Sequence, residues 1–266
     1  MFIGQKHIIN ELSVLLPTGD NFNLLLLGQP GQGKTLLGLK IGNFIGKEFL
    51  YKIADNNESF FQRIDNEIKR YRLIFIDEIH RLGYDVEKLY PILDSKKNFF
   101  IFATNQPQLL PEAFRTRVIE LLFARYSREE LRDIVRSYLS LNLNNELLDI
   151  IIDAAEENPR RINQYCGRLY SILKTKGGLI TIGGTITKEI LMEIITQYFN
   201  IIDGMNSLER EYLSFLERVK IASLQTLTSS LRVNREVIQT EIEPQLLFKG
   251  KIKITSKGRE YVNSNS

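Results

Sequence analysis

The chain has almost no cysteine. Cys166 stands alone among 266 residues, so no internal disulfide can form, and His7 and His80 are the only histidines it could join at a metal or a catalytic dyad. A small buried apolar role for Cys166 is the simpler expectation. Long hydrophobic runs are also missing. The longest, 24–27 and 99–103, are strand-sized, against the roughly 18 apolar residues that a bilayer-spanning helix needs. Residues 1–10 hold neither a basic region followed by an apolar stretch nor a small-residue cleavage site, so a secretory leader is not expected and a cytoplasmic location is. Charge of one sign is scarce too: 35 Lys and Arg against 32 Asp and Glu leave a net +3, too little by itself to indicate nucleic acid. The asymmetry is local, because 249–259 carries Lys249, Lys251, Lys253, Lys257 and Arg259 with no acid. A content of 43% hydrophobic and 25% charged residues is that of an ordinary globular protein and says nothing about activity.

What is present is ordered along the chain. Five strand-like runs, 22–27, 49–54, 73–76, 99–103 and 118–123, alternate with segments of helical period at 36–44, 59–70 and 86–93. Alternation of this kind predicts an α/β fold, a five-stranded parallel sheet with helices on both faces, whose ligands bind at the carboxyl ends of the strands. After Tyr126 the strand signal gives way to helical patterns at 129–139, 146–155, 159–173 and 188–199. A third region follows, with helices at 208–218, 224–231 and 235–247, a turn at Gly250, a strand at 251–255 and a basic loop at 256–259. Three short helices and a basic strand-turn unit suggest a winged helix. The expected domains are therefore 1–125, 126–202 and 203–266.

The chemistry is concentrated at strand ends. Gly28-Gln29-Pro30-Gly31-Gln32-Gly33-Lys34-Thr35 fits the full P-loop pattern and lies between an apolar strand and an amphipathic helix. Its glycines let backbone N–H groups turn inward around phosphate oxygens, and the following helix, which continues through Leu36, presents its positive end. Lys34 would reach the β- and γ-phosphates and the Thr35 hydroxyl would bind Mg²⁺, which makes ATP and Mg²⁺ the expected cofactors. The run 73–76 ends in Asp77 and Glu78, and two carboxylates on a buried strand are costly unless a cation or a wet site receives them. Asp77 fits an Mg²⁺-orienting aspartate and Glu78 the group that polarises the attacking water. Asn105, just after the fourth run, is a candidate to hold that water or the γ-phosphate, although asparagine there is also a common turn residue. Asn158 and Pro159 mark a helix start ahead of Arg160, which could reach a phosphate, while Arg115 and Arg117 precede the fifth run, where an exposed arginine can complete a neighbouring subunit's site. Solvated surface arginines are the alternative in both cases. The series Asp77-Glu78-Ile79-His80 is superficially that of two-lobed DExH helicases, but those need two such sheets and only one P-loop is present.

Taken together, these residues resemble the RuvB family, the AAA+ motors of Holliday-junction branch migration. Phe2-Ile3-Gly4-Gln5 is similar to that family's adenine-side segment, which implies nucleotide contacts at Phe2 and Ile3. Residues 76–82, continued by Glu87 and Leu89-Tyr90-Pro91, resemble its Walker B segment. Arg115-Thr116-Arg117 falls where the family has its arginine finger, Pro159-Arg160 where it has sensor 2, and Glu243-Pro244 through Lys257-Gly258-Arg259 resembles its winged-helix end. The resemblance implies an AAA+ core, a helical lid and a winged helix that contacts DNA through residues such as Arg235, Lys251, Lys257 and Arg259. It also implies a ring, a hexamer, around duplex DNA or four-way junctions. One segment departs from the pattern: 94–98 joins almost directly to the fourth strand, where the family has a hairpin that docks its junction-binding partner RuvA, and this argues against RuvA docking. A DNA-translocating motor is the leading expectation. An ATP-switched loader or initiator, which places another protein on DNA, is the alternative.

Overall fold

A computed structural model describes residues 2–45, 49–139, 141–180 and 186–262. By packing, the chain forms two compact units, one of residues 1–137 with 158–163 and one of 138–157 with 164–266. The helix expected to open the lid, α6 (Arg128–Tyr138), thus falls with the first unit for nearly its whole length.

The first unit is built on five parallel strands, β1 (Asn23–Leu27), β2 (Phe49–Ile53), β3 (Leu73–Asp77), β4 (Phe99–Thr104) and β5 (Ile119–Leu122), in the order β2-β3-β4-β1-β5. The central three read as unbroken apolar runs because both sheet faces are covered. Alternate residues serve opposite layers. Leu24, Leu26, Phe75, Ile101 and Leu121 pack with α1 (Lys6–Leu15) and α2 (Lys34–Ile45), whereas Leu25, Ile74, Ile76, Phe100 and Phe102 pack with α3 (Glu58–Glu67), α4 (Tyr90–Asp94) and α5 (Glu112–Arg115). Fully burying each such side chain contributes about 1.5–3 kcal/mol. The helix expected over 86–93 is broken. A 3₁₀ stretch, Ile79–Leu89, kinks at Gly83 and hands over to α4 only at Tyr90. Pro91 accounts for the restart, since a ring without an N–H fits a first turn but not a helix interior.

The second unit contains α7 (Asn145–Ala154), most of α8 (Pro159–Ile180) and α9 (Lys188–Phe199). Side chains cap the helix starts: Asn144 accepts the Leu147 N–H at 2.9 Å and Thr187 that of Ile190 at 3.4 Å. Cys166 is buried, as a small apolar residue would be, and desolvation pushes its thiol pKa up to about 12.

The rest of this unit is α10 (Ser207–Val219), β6 (Ile221–Ala222), α11 (Leu224–Leu231), α12 (Arg235–Val237), α13 (Glu243–Phe248), β7 (Ile252–Thr255) and β8 (Gly258–Tyr261). The single helix expected at 235–247 carries a π-helical stretch, Ile238–Ile242, between α12 and α13. Pro244 cannot donate the bond that would continue the regular ladder, and the turn before it widens. Of the loop expected at 256–259, Ser256 and Lys257 form the turn after β7, whereas Gly258 and Arg259 already belong to β8, the middle strand of an antiparallel β6-β8-β7 sheet. Gly258 makes this possible, because a Cβ there would lie 2.5 Å from the Ala222 carbonyl oxygen. Among the described residues no helix is long and apolar enough to cross a membrane.

Candidate functional site

The P-loop leaves β1 at Gly28, whose N–H donates to Thr104 O at 3.4 Å and so ties the loop to the end of β4. Gly31 and Gly33 take φ values of 85° and 93°, which L side chains rarely adopt, so glycine is needed for the N–H groups to turn inward. Lys34 opens α2 and is buried, its Nζ donating to Gly28 O at 2.7 Å and Gln29 O at 2.9 Å. Burial lowers its pKa, against the raising influence of first Glu78 and then Asp77, and Arg160 adds a further lowering. Gln32 braces the loop from within, with Oε1 accepting the Gln29 N–H at 2.7 Å. Pro30 and Leu36 are exposed.

At the end of β3, Thr35 Oγ1 donates to Asp77 Oδ2 at 2.6 Å. Tyr51 on β2 adds its hydroxyl to the same oxygen at 3.3 Å, and the Glu78 N–H donates to Asp77 Oδ1 at 2.9 Å. Glu78 itself is left-handed, φ 54° and ψ 40°, a conformation uncommon for a residue with a side chain. His80 reaches towards it, Nδ1 lying 3.4 Å from Glu78 Oε2 and 3.0 Å from Thr104 Oγ1. Burial lowers the His80 pKa, partly opposed by Glu78. Asn105 follows β4, and its Oδ1 is buried with no hydrogen-bond partner, a costly state that a ligand donor would relieve.

Phe2, half-buried, places its ring 3.4 Å from where a Gly33 Cβ would be, and meets Phe123 edge-on at 6.5 Å. Ile3 beside it is also half-buried. Sequence reasoning missed what holds this segment down. The Gln5 amide donates to Ala124 O at 2.8 Å and accepts the Ala124 N–H at 2.9 Å, and the Tyr126 hydroxyl donates to Gln32 O at 2.9 Å while its ring covers Gly4. Asn158 does more than cap α8. Its Oδ1 accepts the Arg160 N–H at 2.9 Å, its Nδ2 donates to Pro30 O at 3.2 Å, and Gly31 faces it so closely that a Cβ would overlap the carboxamide. The helix start bearing Arg160 is therefore fastened to the P-loop. No local pattern around 126 or 158 signals these long-range contacts.

Arg117 lies against its own chain: Nε donates to Asp94 at 3.0 and 3.3 Å, one terminal nitrogen donates to Ala113 O at 2.7 Å, and the guanidinium sits 4.3 Å from the Tyr90 ring centroid. Arg115 forms a bidentate pair with Glu120 at 2.6 and 2.9 Å. In the carboxyl-terminal part, Arg235 and Lys257 are exposed and Lys251 is half-buried. Arg259 requires correction as a DNA contact. Its guanidinium donates to Glu243 at 2.7 and 3.3 Å, the Tyr212 hydroxyl joins the same carboxylate at 3.0 Å, and the Arg259 side chain is only 15% exposed. Leaving that ion pair for a phosphate would strand a buried charge. The run 249–259 loses further free cations, because Lys249 pairs with the fully buried Glu209 at 3.2 Å and Lys253 with Glu260 at 2.8 Å.

A family model described as the RuvB C-terminal winged helix domain matches residues 203–264, and one described as ATPase family associated with various cellular activities (AAA) matches residues 24–126. Among similar proteins is the Holliday junction branch migration complex subunit RuvB of Mycoplasmopsis synoviae, 28% identical over 293 residues, covering 97% of this chain and 91% of the relative. The protein of the same name from Mycoplasma genitalium is 28% identical over 299 residues, covering 99% and 93%. The solved structure of the Thermotoga maritima RuvB Holliday junction branch migration motor aligns with a TM-score of 0.80 at 25% identity, covering 98% of this chain and 93% of that one.

Proposed function

We propose that this chain, a RuvB-like AAA+ ATPase whose AAA core precedes a RuvB-type winged helix, is a DNA motor that couples ATP hydrolysis in a ring to branch migration of four-way junctions. The observation that carries the reading is the 2.6 Å bond between Thr35 and Asp77 beside the buried Lys34, which joins the phosphate loop and the acidic strand end in one site. The residues fit the implied groups: the Gly31 and Gly33 backbone and the Lys34 ammonium suit phosphates, and the unpartnered Asn105 Oδ1 suits a water that donates to it. Lys34 holds the β- and γ-phosphates, and Phe2 and Ile3 border the adenine. Thr35 and Asp77 hold Mg²⁺, which neutralises developing phosphate charge when bound. Glu78 draws a proton from the attacking water, Asn105 orients that water, and Arg160 contacts the γ-phosphate. Arg117 acts in the neighbouring subunit's site, and Arg235, Lys251 and Lys257 meet the DNA backbone. In functional terms 1–125 is the core, 126–202 the lid and 203–266 the DNA-contacting domain.

The ring is hexameric and cytoplasmic, and it works without a RuvA-like partner docked between α4 and β4. Only residues 95–98 join these elements, too few for a projecting hairpin. The test is a synthetic four-way junction incubated with the purified chain alone. ATP-dependent conversion to duplex products, absent in Glu78→Gln, is the expected result. DNA-stimulated hydrolysis without any conversion would replace the motor with the loader.

A further inference from the structure

His80 stands between the acidic strand end and the tip of β4, and the proposed hydrolytic cycle gives it no task. Its side chain is 12% exposed, and its Nδ1 faces two oxygens, Thr104 Oγ1 at 3.0 Å and Glu78 Oε2 at 3.4 Å. The Thr104 contact is a hydrogen bond and the Glu78 contact an ion-pair distance, and because a carboxylate facing Nδ1 can only accept, the hydrogen belongs on Nδ1. Thr104 is a fixed anchor. It is fully buried, and its hydroxyl also accepts the Gln106 N–H at 2.9 Å, which pins it to the loop that carries Asn105. Glu78 is the reverse, with a side chain 38% exposed on a left-handed backbone, and among the described residues His80 is the side chain that faces its carboxylate at ion-pair distance. A glutamate with three rotatable bonds in that setting would sample several rotamers if nothing held it. The burial-lowered pKa agrees with a neutral imidazole that donates without adding charge beside Lys34.

We infer that His80 is a positioning residue for the hydrolytic step: through Nδ1–H it ties the Glu78 carboxylate to Thr104, so that the groups at the ends of β3 and β4 meet the attacking water as one set. The inference rests on the reading of Glu78 as the group that polarises this water. As a positioning residue His80 touches neither nucleotide nor water. Its effect falls on turnover and spares ATP binding, since displacement of a reacting group by about 1 Å can cost on the order of 100-fold in rate.

The experiment compares His80→Ala, His80→Leu and His80→Asn in the full chain, with Glu78→Gln alongside, by steady-state ATP hydrolysis and by nucleotide affinity. Asparagine can return an N–H close to the position of Nδ1, whereas leucine fills the space without a donor. The expected result is a kcat about 10- to 100-fold lower for alanine and leucine, with KM and nucleotide Kd changed less than about twofold, and recovery of most of kcat by asparagine. Three results would overturn the inference: leucine restoring the rate, asparagine performing no better than leucine, or all three variants turning over normally. Leucine and asparagine alone decide the matter where alanine does not fold. If Glu78→Gln hydrolyses ATP at the normal rate, the reading of Glu78 itself fails; if it is inactive while His80→Leu is fully active, only the role of His80 does.

Discussion

At the scale of single residues, the site consists of charges held where water is scarce. Lys34 is buried against loop carbonyls and answers to two carboxylates, so its ammonium is oriented before any phosphate arrives. Lys34→Ala is expected to abolish measurable ATP binding, because charge and backbone cradle act on the same phosphates. Titration calorimetry checks this, and unchanged affinity would remove Lys34 from the site. Glu78→Gln should bind ATP as the parent does and lose turnover, since an amide cannot take the proton from water. Filter binding beside a phosphate-release assay separates the two quantities.

At the scale of elements, what matters is how closely the P-loop helix lies on the sheet. Gly38 of α2 faces Phe75 of β3, and a Cβ there would come within 2.5 Å of the ring. Alanine in a helix gains up to about 1 kcal/mol over glycine. Overpacking a full core costs about 1–3 kcal/mol, and Phe75, wholly buried, has no room to retreat. Gly38→Ala should therefore destabilise the protein by about 1 kcal/mol or more in a urea titration, despite its better helix propensity, and weaken ATP binding by shifting Lys34 and Thr35. In the winged helix, β8 is locked to α13 by the Arg259–Glu243 pair. Arg259→Ala leaves the buried Glu243 uncompensated and should cost about 3 kcal/mol in stability. A melting temperature that does not move would contradict the structural role given to Arg259.

At the scale of the whole molecule, the proposals concern other molecules. Arg117 pairs with Asp94 at a site where both side chains remain partly exposed, and such pairs contribute about 0–1 kcal/mol, so Arg117→Ala should fold. It should nevertheless hydrolyse no ATP alone, and mixing with Lys34→Ala should restore part of the activity, because each mutant lacks a different half of a shared site. Mixed rings without activity at any ratio, from mutants that both assemble, would sink the trans assignment. On DNA, Lys257→Ala should lower the slope of log affinity against log salt by about one, equally on unrelated sequences, since one phosphate contact is lost. An unchanged slope would move the DNA contact away from the turn between β7 and β8.

The sequence by itself determined the parts of this protein that are encoded within a few consecutive residues. The apolar runs of β1, β3 and β4, the spacing from Gly28 to Thr35, the carboxylates at 77 and 78 and the helix start at Asn158 are all legible because each is a local pattern tied to a local geometry. Only the tertiary structure decided how those parts are fastened together. Gln5 meets Ala124 across 119 positions, Asn158 meets Pro30 across 128, and His80 meets Thr104 across 24. The same holds for Arg259, which read as one more cation in a basic run until the fold set Glu243 and Tyr212 against it. It holds for β8 as well, whose polar residues gave no strand signal and whose pairing is supplied by β6 and β7 on either side. Charge, hydrogen-bonding capacity and strand propensity belong to a residue, but the partner that satisfies them is fixed by packing between segments far apart in the chain, and no window of local sequence contains that information.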